Sequence, residues 1–172
     1  MNNERIEYTI LRNLIFNEDF TRKVLPFVNE IYFPKREEQI LFQEINTFVL
    51  KYKNLPSKES ILIELGNRKD INEEENRIVK ELINSLNPEE IDQQWLLDTT
   101  EKFCKDRAVH NAVLDGIKIL DGKTKDKTPE AIPSILADAL AVSFDNHIGH
   151  DYIEDADDRF KFYHTKEKKY QF

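Results

Sequence analysis

Apolar residues recur every three or four positions along almost the whole chain, and no stretch alternates in the manner of a half-buried strand. The first predicted helix carries Ile6, Ile10 and Leu14 on one row, with Leu11 and Ile15 beside it. A second carries Phe20, Val24 and Phe27. "NEIYFPK" reads as a connection, because Pro34 pushes Phe33 out of the helical region. The third helix has the clearest stripe, Leu41, Ile45, Phe48 and Tyr52. "NLPS" interrupts it, and Ser57 is placed to cap a short helix holding Ile61, Leu62 and Leu65. Asn72, with Glu75 three positions on, has the form of a capping box for a helix bearing Ile78, Leu82 and Leu86.

Asn87-Pro88-Glu89-Glu90 offers a cap, a proline for the first helical position and two acids for the positive end of a helix dipole. It predicts a helix start. From there to Leu120 no further proline intervenes, and the only glycine is Gly116. Such a helix is more than twice the usual length of about eleven or twelve residues, too long to bury itself in a small domain. Its distal half is expected to project, with Trp95, Phe103, Val113, Ile117 and Leu120 along one flank. "DGKTKDKTPE" reads as a polar turn, and a returning helix from about Pro133 carries Ile135, Leu136, Ala139, Leu140 and Ser143.

The two helices make an αα-hairpin. Ala137, Ala139 and Ala141 on the returning arm permit close approach of another helix. The competing arrangement folds both arms back on the head as a bundle. Residues 151–165 read as a last, short amphipathic helix, acidic at its start and basic at its end. The predicted fold class is all-α, with a helical head at 1–90, a projecting hairpin at 91–145 and a linker loop and linker helix at 146–172.

The hairpin's apolar seam has too little core of its own, so a second copy is its expected cover. Val113, Ile117, Leu120, Leu136 and Leu140 are the candidate self-association residues. On the terminal helix Ile153, Ala156, Phe160 and Tyr163 form one stripe, a candidate docking face whose receptor is absent from this chain.

Composition narrows the classes of function. At 172 residues, 40% apolar and 34% charged, the chain suits one domain, or a small domain with an appended element. A formal charge of −8 argues against a protein that coats duplex nucleic acid. No apolar run approaches a membrane span, and "MNNERIEYTI" lacks the apolar core of a signal peptide. The single cysteine, Cys104, cannot form an internal disulfide and fits a reducing compartment. It reads as a packed thiol, since no base accompanies it.

Gly122-Lys123-Thr124 matches the last letters of a nucleotide-binding P-loop, but Ile117 stands where that loop needs its first glycine. Gly116 is out of register by one, and no strand precedes it. The segment reads as a turn in which Gly122 ends a helix. His147, His150 and Asp151, with Glu154, Asp155 and the upstream His110, are plausible metal-ligand types. Gly149 breaks the helix such a site needs, and a hydrated linker is the expected reading. Glu89/Glu90 and Asp157/Asp158 are helix-start charges before they are acid–base pairs. No catalytic, cofactor-binding or metal-binding residue is assigned, and the chain is not expected to be an enzyme.

"ERIEYTILRNLIFNEDFTRKVLPFVNEIYFPKREEQILFQEI", residues 4–45, resembles the start of the N-terminal domain of DnaB-type hexameric replicative helicases. The shared pattern is an acidic opening helix, an apolar run ending in Leu-Ile, an aspartate-then-aromatic helix, an aromatic "YF" turn and a basic, Phe-containing helix. Glu101-Lys102-Phe103, Arg107-Ala108, Asn111-Ala112 and "AIPSILADALAVSFDNHIGHD" are similar to the replicative helicases of T-even-type bacteriophages in particular. The resemblance covers essentially the whole chain.

It implies a helical head, a helical hairpin, a linker helix and then a RecA-like ATPase domain. ATP and Mg belong to that last domain, so this chain is expected to hold neither. The parent protein is expected to be an ATP-dependent DNA helicase cut at its linker, a natural truncated protein being the other reading. The implied role is a scaffold or collar: hairpins pair between subunits, heads close a ring, and primase docks on it, with a helicase loader as a further partner. DNA contact by this part is weak or indirect, and the location is the cytoplasm of an infected bacterial cell. The competing function is a free-standing α-helical interaction protein, such as a helicase loader or a decoy helicase subunit.

Overall fold

Burial begins with the first helix. In the computed structural model, which describes residues 5–144, α1 spans Ile6–Phe16, and every residue from Ile10 to Ile15 is buried, Arg12 and Asn13 included. A helix covered on most sides becomes the axis around which the others pack. The Asn17 side chain accepts from the Phe20 N–H at 3.1 Å and so caps α2, Glu18–Val24. Pro26 has no N–H to continue the ladder, and the chain tightens into a 3-10 turn at Leu25–Phe27. Phe27, expected on the second helix, lies in that turn. A second 3-10 turn, Glu30–Tyr32, follows inside the predicted connection, and Phe33 is extended before Pro34 as expected.

α3 runs Arg36–Tyr52 and ends at Lys53 in the left-handed conformation. Its buried face is Ile40, Leu41, Phe42, Ile45 and Val49, so the predicted stripe through Phe48 and Tyr52 is rotated. Three consecutive apolar residues at 40–42 leave the face undetermined by spacing alone. Phe48 and Tyr52 stack on each other instead, 4.7 Å between ring centres, with Tyr52 exposed. α4, Lys58–Gly66, is capped by Ser57, and α5, Glu73–Ser85, by the reciprocal Asn72–Glu75 box. α5 buries Val79, Leu82 and Ile83; of the predicted row Leu82 and Leu86 are buried and Ile78 is half-buried.

The next helix, α6, spans Gln93–Leu120, 28 residues. It starts later than the Pro88 signal predicts. Asp92 is the cap, accepting from Trp95 N–H at 2.8 Å, while Leu86 to Asp92 stay non-helical. The reason lies in α1: the guanidinium of buried Arg12 takes Glu89 as partner at 2.7 Å, which draws that carboxylate away from a helix end. The first half of α6 belongs to the head. Leu96, Thr100, Phe103 and Cys104 are buried in the same core as α1 and α3, so Phe103, unlike Trp95 and Ile117, is covered by the head. A 3-10 turn at Pro129–Ala131 leads into α7, Ile132–Leu140, which packs on α6; Ser143 lies past its end. Among the described residues there is no strand, and the fold is all-α.

Candidate functional site: the helical arm

Ala108, Ala112, Gly116 and Ile119 recur at steps of four, four and three along the distal half of α6 and form its inner face. Ala139 of α7 is buried against Ala108 and Ala112, with Ile135 and Leu136 half-buried beside them. Small side chains on both helices let the two backbones approach closely. The close approach predicted for alanines of the returning arm is therefore realised within the chain by Ala139, whereas Ala137 and Ala141 are exposed.

Among the described residues the adjacent flank of α6, one position round from this row, has no such cover. There Val113 is 47%, Ile117 49% and Leu120 67% exposed, a row of large aliphatic side chains facing solvent, and on α7 Leu140 is 70% exposed. Four of the five predicted self-association residues are thus exposed. The fifth, Leu136, is half-buried in the hairpin's own seam. Leu114 is also exposed, and spacing overlooked it because it sits one position off the Val113–Ile117 row. The docking stripe Ile153, Ala156, Phe160 and Tyr163 lies outside the described residues, as do His147 and His150.

The arm's tip closes with backbone hydrogen bonds. Gly122 is left-handed at φ 70°; its N–H donates to Ile119 O at 3.1 Å, and the Lys123 N–H donates to Lys118 O at 3.0 Å. These two bonds are the Schellman pattern that ends a helix. The N–H groups a phosphate would need at Gly122-Lys123 are already spent on helix carbonyls. Cys104 is fully buried; desolvation first, and the nearby Glu101 carboxylate second, push its thiol up to about 12. Among the described residues no cluster of three or more His, Cys, Asp or Glu is arranged to hold a metal ion, and no helix is long and apolar enough to cross a membrane.

Sequence reasoning missed the groups that tie the arm to the head. Arg107 Nε donates to Tyr32 O at 2.7 Å, Asn111 Nδ2 donates to Ile31 O at 2.9 Å, and the Phe144 N–H donates to Glu101 Oε2 at 2.8 Å. No local signal marks them, since each bridges more than forty positions and two of the acceptors are backbone carbonyls.

No family model matches the chain. Over 171 residues it is 34% identical to the DnaB-like replicative helicase of Enterobacteria phage T4. That match takes in 95% of this chain and 36% of the helicase, so the chain spans about a third of that relative's length. The chain is therefore related, along nearly all of its length, to a phage DnaB-like replicative helicase, consistent with an N-terminal helicase domain.

Proposed function

We propose that this chain is the scaffold, or collar, part of a phage replicative helicase, holding subunits together and offering a docking surface for primase. The observation that carries the reading is the solvent-facing aliphatic row Val113, Ile117 and Leu120 on α6, with exposed Leu140 on α7, on an arm whose seam is already filled. Fully burying an exposed Val, Leu or Ile contributes about 1.5–3 kcal/mol, and a second arm laid against this one would gain the part of that which these partly exposed side chains still leave. The similarity to a replicative helicase supports a helicase-related role and, in the full-length protein, a hexameric assembly.

In this reading the head at 1–90 and the hairpin at 91–145 form the collar, and the ATPase chemistry, with its ATP and Mg, resides in a further domain of the parent protein. Primase is the principal partner and a helicase loader a second, both in the cytoplasm of the infected host. Mixing the chain with the primase of the same replication system tests the docking half. A complex that survives size-exclusion chromatography is expected, and independent elution of the two proteins at tens of micromolar contradicts it. The self-association half is tested by the molar mass of the Ile117→Asp variant.

A further inference from the structure

α6 leaves the head between Cys104, which is buried in the head core, and Ala108, which faces α7. Where it leaves, two side chains four positions apart, hence on one face, reach the same neighbour. Arg107 Nε donates to Tyr32 O at 2.7 Å and Asn111 Nδ2 donates to Ile31 O at 2.9 Å. Both acceptors belong to the 3-10 turn Glu30–Tyr32, which is held from its own side: Asn29 Oδ1 accepts from the Ile31 N–H at 3.1 Å, and the Phe33 N–H donates to Glu30 O at 3.1 Å. Phe33 itself is fully buried, its ring 5.7 Å from that of Phe103. The turn is thus anchored in the core on one side and bonded to the root of the arm on the other.

We infer that the Glu30–Tyr32 turn is a brace that sets the direction of the helical arm relative to the head, with Arg107 and Asn111 as its positioning residues. A long helix tends to curve gently, and direction is not fixed by helix continuity alone. Beyond Asn111 the arm runs nine residues to Leu120, about 14 Å, so a tilt of about 20° moves its end by about 5 Å. An arm that must meet another surface is better preorganised than free to swing, because ordering it on contact costs association free energy. The two bonds supply that preorganisation at the root of the arm. This geometry belongs to one chain and does not depend on what the arm meets.

The test places spin labels at Lys80→Cys on α5 and Lys118→Cys on α6, both exposed, with labelled chain diluted in excess unlabelled chain. Cys104 is buried and does not compete for the label. The parent should give one narrow distance distribution. Asn111→Asp turns a donor into a carboxylate facing a carbonyl oxygen, and with Arg107→Ala it removes both bonds. The distribution is expected to broaden or shift by several ångströms in Asn111→Asp and further in the double variant, with helix content by circular dichroism unchanged. Asn111→Asp serves even if the double variant folds poorly, because Asn111 is only half-buried. An unchanged, narrow distribution in Asn111→Asp overturns the inference and assigns the arm's direction to the stiffness of α6 and its packing on α7.

Discussion

The ring of Phe144 packs on that of Phe27 with 4.9 Å between centres and a tilt of 35°. Phe144 is fully buried, and its N–H is held by Glu101, so within four residues of the end of α7 the chain is back in the head core. The nine-residue α7 is too short to persist alone in water; it is held by its seam with α6 and by this return. Phe144→Ala should cost about 3–5 kcal/mol in urea unfolding, the range for emptying a large core site. Amide exchange should show α7 losing protection before α1 does. Equal loss in both helices would mean that Phe144 supports the head alone.

Two glycines on the arm should respond in opposite directions. A Cβ added at Gly116 meets Ile132 Cγ2 at 3.6 Å, an ordinary contact, and Gly116 sits inside a helix. Gly116→Ala is therefore expected to stabilise by about 0.5–1 kcal/mol. Gly122, at φ 70°, carries the helix-ending turn. Gly122→Ala should destabilise by about 1–2 kcal/mol, the cost of a left-handed non-glycine residue. Thermal melts of the two variants check the signs, and a shared sign would contradict the assigned geometry.

Cys104 should resist thiol reagents in the native protein. Its full burial and its thiol held near 12 leave almost no thiolate at pH 8. A chromogenic disulfide reagent is expected to react only after denaturant is added. Rapid reaction at pH 8 without denaturant would show that the α6 core opens far more readily than its packing implies.

What the sequence made legible was local. The caps at Ser57 and Asn72 and the helix end at Gly122 each complete their hydrogen bonds within a few residues, so the letters nearly determine the geometry. The aliphatic run through Val113, Ile117 and Leu120 was readable for the same reason, since spacing alone puts it on one face. The start of α6 was not. Glu89 is recruited by Arg12 from a helix distant in sequence, and the demand of a buried guanidinium outweighs a weak dipole preference. On α3 and α5 neighbouring apolar residues gave two acceptable stripes, and the packing of these helices on each other and on α1 and α4 buried Val49, Val79 and Ile83 in addition to Leu41, Ile45 and Leu82 of the predicted rows. The Arg107 and Asn111 brace was invisible because a carbonyl acceptor leaves no trace in side-chain identity.

In the proposed role the exposed flank of the arm joins copies of this chain. Light scattering coupled to size-exclusion chromatography, run on the parent and on Ile117→Asp over a wide concentration range, tests it most directly. Ile117 is half-exposed and points away from the α6–α7 seam, so an aspartate there leaves the fold intact while placing a charge in the proposed contact. The expected result is a parent mass above the 20.4 kDa of one chain, rising with concentration, and a variant that stays near 20.4 kDa. A parent that remains at the single-chain mass at every concentration, or a variant that associates as the parent does, would contradict it.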